Sequence, residues 1–344
     1  MENNEESSEF KESVLEPWVP EKLLRQVDSS IVHYSRGYLR SHPERWFPGF
    51  SSDWLPLSHS LGVELKAVEI KPIIGVPRGQ EFGYVGSIDD EPFAIIYDDT
   101  TAHVLADVLI PNGGHKSHRI VLNYLARRLV HSLAGSWSGS SSAVVRFEPN
   151  LPTTAIREAG GVKLVVSVNG SQVIIWFVLG KIMVERFDGL WRRQLLSHSK
   201  KRDHEGTLAI ELANLNIPPT FLGQYVKQGN NVDLEVPASD LVNLYLDGKH
   251  WSSARLFQVD SNFGLEILAT PNILPKTPEG TTSLSVQIGS MSIEPHLITE
   301  LTQPGAMLAT SINLSDQVEI VVRGEKVAAA LVRLFQNNFA FEVI

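Results

Sequence analysis

Cysteine is absent from all 344 residues, so disulfides, thiolate metal sites and cysteine nucleophiles are excluded together. Long apolar runs are missing too. The longest is Val173-Ile174-Ile175-Trp176-Phe177-Val178-Leu179. It is far short of the roughly 18–20 residues needed to cross a bilayer, and reads as a buried strand. Direct membrane insertion is therefore not expected. Positive charge is scarce: 30 Lys and Arg against 39 Asp and Glu leave a net charge of −9. That balance opposes sequence-independent nucleic-acid binding, which needs clustered cations. The one dense basic run, Lys200-Lys201-Arg202 near Arg192-Arg193, reads as a solvated linker. The start, Met1-Glu2-Asn3-Asn4-Glu5-Glu6, lacks the basic and apolar regions of a secretory signal. These absences fit a cytoplasmic location.

What is present is ordinary globular composition, 43% hydrophobic and 20% charged, in a chain long enough for two or three domains. Residues 1–20 read as a disordered acidic tail and residues 21–56 as a helical, then irregular, lead-in. Within the lead-in a helix is expected from Glu21 to about Tyr38, with Leu23, Leu24, Val27 and Ile31 on one side. Residues 57–191 read as an α+β domain. Its expected strands are Val63–Ile70, Phe82–Ile88, Phe93–Tyr97, Ala143–Phe147, Val162–Val168 and Val173–Leu179. Helices are expected over His103–Leu109, capped from Asp98-Asp99-Thr100-Thr101, and over Lys116–Leu133. Ser136–Ser142 reads as a flexible join, residues 192–206 as a linker, and residues 270–282 as a stiff Pro-rich connector.

Catalytic patterns are missing. Neither G-x-x-x-x-G-K-[ST] nor a strand-borne G-x-G-x-x-G occurs. Gly135-Ser136-Trp137-Ser138-Gly139 has the outline of a nucleophile elbow with Trp where the serine belongs. His115 and His118, and His103 with Asp107, have helical spacing but no third ligand, so helix-surface roles are expected and no metal or cofactor. Asp98-Asp99 precedes a helix, which makes capping the better reading than paired acid–base carboxylates.

The most informative pattern is a repeat. Shifted by 76 positions, Leu208–Leu268 lies over Leu284–Ile344 without a gap. Gly229 meets Gly305, Gly248 meets Gly324, and Asn262-Phe263 meets Asn338-Phe339. Apolar positions agree between these marks, as in Ile210/Val286, Leu244/Ile320 and Leu265/Phe341. The two modules, residues 207–269 and 283–344, are mostly β. Asp247-Gly248 and Arg323-Gly324 are hairpin turns. About 60 residues bury too little apolar surface to be comfortable alone, so the modules are expected to pair. Leu244, Leu246, Phe263 and Leu265 of the first copy, with Val318, Ile320, Val322, Phe339 and Phe341 of the second, are candidates for that protein interface. The alternative is that each module is a self-contained small barrel whose own core these residues fill.

Pro304-Gly305, Val318–Val322, Arg323-Gly324, Ala329-Ala330 and the ending Asn337-Asn338-Phe339-Ala340-Phe341-Glu342-Val343-Ile344 resemble the SPOA domain of flagellar rotor proteins and their type III secretion relatives. The first copy departs from that pattern at Gln228 and Trp251. Tandem SPOA domains behind an α+β domain resemble the SctQ family, which is FliM/FliN-like and builds the C-ring or sorting platform of the injectisome. The resemblance implies a virulence-associated protein-transport scaffold without catalysis, at the cytoplasmic face of the inner membrane. It implies as partners an ATPase stator protein (SctL-like), a platform adaptor (SctK-like), chaperone–substrate complexes and a free C-terminal SPOA fragment of the chain itself. Met291 is a poor start for that fragment, because it would delete the strand Leu284–Ile288. The competing resemblance is to a flagellar motor switch protein, FliM- or FliY-like. The FliY phosphatase pattern needs a helical Glu three residues before an Asn; Lys116–Leu133 has Asn123 and no carboxylate.

Overall fold

A computed structural model describes residues 15–42, 59, 62–75, 83–97, 99–138, 143–148, 160–197, 204–269 and 278–344. Most of the acidic tail, the aromatic stretch from 43 to 58, Asp98, Lys200-Lys201-Arg202 and most of the Pro-rich connector lie outside these residues. The described residues form two compact units. One comprises the residues up to His33 together with those from His204 on; the other is Tyr34–Ser197. The result is an α+β chain with two antiparallel sheets.

The N-terminal segment departs from its expected form. Glu16–Pro17 is a short strand, β1, and Trp18 is buried at 3% exposure, so the tail does not extend to residue 20 as a disordered chain. The single helix expected from Glu21 is two short ones, Pro20–Leu23 and Ser29–Tyr34, parted by a β-bridge at Gln26. The expected apolar stripe splits accordingly. Leu24 and Val27 are buried, while Leu23 and Ile31 face solvent.

The Tyr34–Ser197 unit is a six-stranded sheet covered by helices. Its strands are β2 (Leu65–Ile74), β3 (Tyr84–Ile88), β4 (Glu91–Tyr97), β5 (Val145–Phe147), β6 (Gly160–Val168) and β7 (Ser171–Leu179), in the order β2-β6-β7-β4-β3-β5. Asn169-Gly170 turns β6 into β7 with both residues at positive φ. β7 is uninterruptedly apolar from Val173 on because both its faces are used. Val173, Ile175, Phe177 and Leu179 enter the helix-covered core, and Val178 joins Ala94 and Ile96 on the opposite face. The helix Asp99–Leu109 begins at Asp99, so that residue is helical rather than a cap. The next helix runs His115–Ser138 and so takes in Ser136–Ser138, the first part of the segment expected as a flexible join; 139–142 lie outside the described residues. A third, Lys181–Ser197, occupies the start of the expected 192–206 linker. Its Asp188 carboxylate explains why the helix continues. Buried at 4% exposure, it accepts the Tyr38 N–H at 2.7 Å and pairs with Arg192 at 2.8 Å, one turn on.

The second unit contains both modules in one sheet. The first module supplies β8 (Gly206–Ile217), β9 (Asn231–Pro237), β10 (Leu241–Leu246), β11 (Lys249–Val259) and β12 (Asn262–Ala269). The second supplies β13 (Thr282–Ile293), β14 (Met307–Asn313), β15 (Gln317–Val322), β16 (Glu325–Phe335) and β17 (Asn338–Val343). The strand order is β14-β12-β11-β10-β8-β13-β15-β16-β17-β9. Read from either end it is the same list with the modules exchanged. The outermost strands have crossed over: β9 pairs with β17 of the other module, and β14 with β12. The registers repeat under the 76-residue shift, with Val232 opposite Phe341 and Leu308 opposite Leu265. β8 and β13 pair antiparallel along their length, from Gly206↔Ile293 to Ile217↔Thr282. These two end pairs are equivalent, so a pseudo-two-fold axis passes between Glu211 and Leu212 of β8. The turns repeat too: Asp247-Gly248 and Arg323-Gly324 all have positive φ, as a two-residue hairpin requires.

Candidate interaction surfaces

The reciprocal strand exchange gives the two modules a common core. Leu244, Leu246, Phe263 and Leu265 lie in one apolar cluster with Val318, Ile320, Val322, Phe339 and Phe341, and none exceeds 7% exposure. Buried to this degree, they lie inside a core that residues of both modules fill. The N-terminal segment adds to this core. Trp18 lies parallel to Phe263, with ring centroids 6.1 Å apart, and meets Phe339 edge-on at 6.0 Å. Phe263 and Phe339 are equivalent under the repeat, so Trp18 sits close to the pseudo-two-fold axis.

On the opposite face of the β8–β13 pair, the axis is marked by a carboxylate. Alternation sends Leu208, Ile210 and Leu212 into the core and Glu211 to the other side. There Glu211, at 2% exposure, lies in a polar groove of about 650 Å³. Its Oε2 accepts from the Ser285 hydroxyl at 2.6 Å and the Asn214 amide at 3.0 Å. Its Oε1 accepts from the Tyr245 hydroxyl at 3.1 Å and lies 3.5 Å from the Asn243 amide. Burial and the neighbouring Glu211 charge push the Tyr245 hydroxyl well above its ordinary pKa. His250, whose ring meets Tyr245 edge-on at 5.3 Å, is held below the usual histidine value, chiefly by burial. The groove is chemically lopsided. Under the repeat Glu211 becomes Gln287, Ser285 becomes Ala209, Tyr245 becomes Val321, Asn243 becomes Glu319 and Asn214 becomes Ser290. Gln287 is the residue paired directly across the ladder from Glu211.

In the Tyr34–Ser197 unit, the helix His115–Ser138 has no carboxylate and exposes Ile120 and Tyr124. With Lys116, Arg119, Arg127 and Tyr84 they line a shallow cleft of about 560 Å³. Arg127 stacks over Phe147 at 4.4 Å and hydrogen-bonds Asn123 at 2.7 Å. Asn123 is thus engaged with a guanidinium. His118 lies 3.1 Å from Asp107 and packs edge-on against His103, while His115 is exposed. No group of three or more metal-ligating side chains occurs among the described residues.

Three elements of these surfaces are not legible in the sequence pattern. Trp18 falls in a stretch whose acidity reads as a tail, although an aromatic between Pro17 and Pro20 signals an anchor. Glu211 and its donors are scattered from 211 to 285, and only strand register assembles them. Asp188 and Arg192 are one helical turn apart, at a domain boundary expected to be a linker.

No family model matches this sequence, and no curated protein matches it. Among solved structures, the FliM middle domain from H. pylori aligns at 14% identity and a TM-score of 0.33, over 47% of this chain and 99% of that one. The FliM middle domain from Vibrio alginolyticus gives 12% and 0.31, over 43% and 95%. FliY from Thermotoga maritima gives 12% and 0.29, over 48% and 95%. Likeness at this level carries no functional argument, which rests instead on the chain's own geometry.

Proposed function

We propose that this chain is a non-catalytic scaffold in the cytoplasmic sorting platform, or C-ring, of a type III secretion injectisome. In that role it links the ATPase stator to the platform adaptor and helps load secretion substrates. The observation that supports the reading best is the exchanged pairing of two unequal modules within one chain. Each module gives its second strand to the other, so neither has a complete sheet alone. Their common core is built-in heterodimer architecture, the form the SPOA resemblance implies. A chain with apolar residues committed to its own pairing, and different polar groups on its two halves, can present distinct surfaces to distinct partners.

The test is affinity capture of the tagged full chain from its native cell, with the partners identified by mass spectrometry. Recovery of a secretion-ATPase stator and a platform adaptor supports the injectisome role. Recovery of flagellar rotor components instead replaces it with the motor-switch role. Acceleration of aspartyl-phosphate hydrolysis on a response regulator would overturn the scaffold reading altogether.

A further inference from the structure

The N-terminal segment contacts the module pair at two places that the repeat makes equivalent. β16 outruns its neighbour β15, whose pairing ends at Gln317↔Leu331, and β11 outruns β10, whose pairing ends at Leu241↔Arg255. Residues 331 and 255 are the same position in the two copies. Just beyond each, the Val332 and Leu256 N–H groups still donate to the Asp316 and Asp240 carbonyls, and past these the N-terminal segment pairs with both strands. β1 pairs antiparallel with β16, with Pro17 opposite Arg333 and the Trp18 N–H donating to the Val332 carbonyl at 3.4 Å. Farther on, the Val27 N–H donates to the Gln258 carbonyl and the Gln258 N–H to the Arg25 carbonyl, both at 2.8 Å. Positions 258 and 334 are again equivalent. Pro17 falls where no ladder hydrogen bond is due, so its missing N–H costs nothing. Between the two contacts Trp18 sits near the axis, and Arg25 forms an ion pair with Glu266.

We propose that residues 16–32 are a transferable clasp: the same segment of a second copy docks on this pair of overhangs and links the two chains. Three features point to a second copy as the occupant. The clasp leads directly into the Tyr34–Ser197 unit across the boundary at His33, so on that side a single crossing of the chain joins it to the rest of the fold. Every contact it makes in its own unit is reproduced when it docks on another copy. Closed and exchanged forms then differ only in connection and concentration, the condition under which elements swap. The site also demands one particular segment, with an aromatic seven residues before an arginine, and each copy carries one. The inference stands on the fold alone and does not depend on the scaffold reading.

The absence of cysteine makes the test clean. A Pro17→Cys full chain and an Arg333→Cys full chain carrying a mass tag are mixed, incubated warm at rising concentration, then oxidised. A disulfide between unlike chains, growing with concentration and absent when either variant is oxidised alone, is the expected result. The double variant Pro17→Cys/Arg333→Cys should close within one chain when dilute. If the double variant closes but the mixture never cross-links, the clasp is a permanent part of its own unit and the proposal is overturned. If neither closes, the docking itself is wrong. Arg333 also pairs with Asp316 and Glu342, so Gln26→Cys with Gln258→Cys repeats the test at the second overhang with those ion pairs intact.

Discussion

Replacing Gln287 by glutamate puts a second carboxylate across the β8–β13 ladder from Glu211, at the pseudo-two-fold axis. Directly opposed residues have Cβ atoms about 5 Å apart, and at an effective dielectric of about 20 two unit charges at that separation repel by about 3 kcal/mol. The donors around Glu211 do not relieve this. Ser285, Asn214 and Tyr245 are already engaged with the existing carboxylate. Because the chain has two units, a single melting temperature would blur the effect. Hydrogen exchange at the β8 and β13 amides reads the right unit. Gln287→Glu is expected to speed exchange there by about a hundredfold at neutral pH, the population equivalent of roughly 3 kcal/mol, and to leave β6 and β7 unchanged. The penalty should ease in acid, since a like charge raises the pKa of the introduced carboxyl and protonation removes the repulsion. Glu211→Gln/Gln287→Glu is the decisive companion. It removes the like-charge pair and leaves the carboxylate near the Ser285 hydroxyl, which Gln287 contacts at 3.2 Å. Under the repeat, however, Val321 and Glu319 stand where Glu211 has Tyr245 and Asn243, so exchange should recover only in part. Wild-type exchange in the double variant would refute the idea that the donors single out one module, and a silent Gln287→Glu would refute the register.

Other perturbations read other parts of the chain. Asp188→Ala strips the buried partner of Tyr38 and Arg192, and should cost the Tyr34–Ser197 unit about 3 kcal/mol, measurable as faster exchange in β6 and β7 with the modules unaffected. Asp28→Ala should cost about 1 kcal/mol, because its carboxylate accepts from the Ser30 N–H at the start of Ser29–Tyr34. Those Ser30 hydrogen bonds hold the Asp28 carboxyl below its ordinary pKa. Its contribution is therefore full above the ordinary carboxylate range and is lost as pH falls through the lowered value, so wild type and variant should converge in strong acid. Gly264→Ala sets a methyl 2.1 Å from the ring of buried Phe257 and should cost about 1–3 kcal/mol by urea titration of β11–β12 exchange. Any free C-terminal fragment should begin near residues 270–283 and not at Met291, since β13 spans Thr282–Ile293 and is paired on both sides; N-terminal sequencing decides this.

The legible and illegible parts of the fold differ in the range of the interactions behind them. Hairpin turns such as Asn169-Gly170 and Asp247-Gly248 are readable because positive φ is a local demand that few residues meet. Strands β6 and β7 are readable from their apolar runs. The helix Lys181–Ser197 is not, because its signal is split between a buried face of Met183, Val184 and Phe187 and a basic end that mimics a linker. The repeat announces two like modules, and pairing follows from their small size. The exchange of β9 and β14 cannot be read from it. Val232 and Leu308 would be apolar whether they closed their own module or the other, and only the length and direction of the preceding turn decide between the two. The candidate interface residues are legible as apolar positions, but not their shared core.

The repeat alone would allow either module to pair with its own kind. A pair of first modules would set Glu211 against Glu211 at the axis, and Ala209 would stand where the Ser285 hydroxyl now stabilises the carboxylate. Such a pair carries the same repulsion as the Gln287→Glu variant and has one donor fewer. The mixed pair has a single carboxylate, and its donors come from both modules. Trp18 breaks the symmetry in the core in a second way, since one indole serves two equivalent phenylalanines and lies flat on one and edge-on to the other. One asymmetric group on each face of the axis thus converts a duplicated, self-complementary module into a pair with two distinguishable halves. Distinguishable halves allow a scaffold to hold unlike partners in fixed relation, which a symmetric pair cannot do.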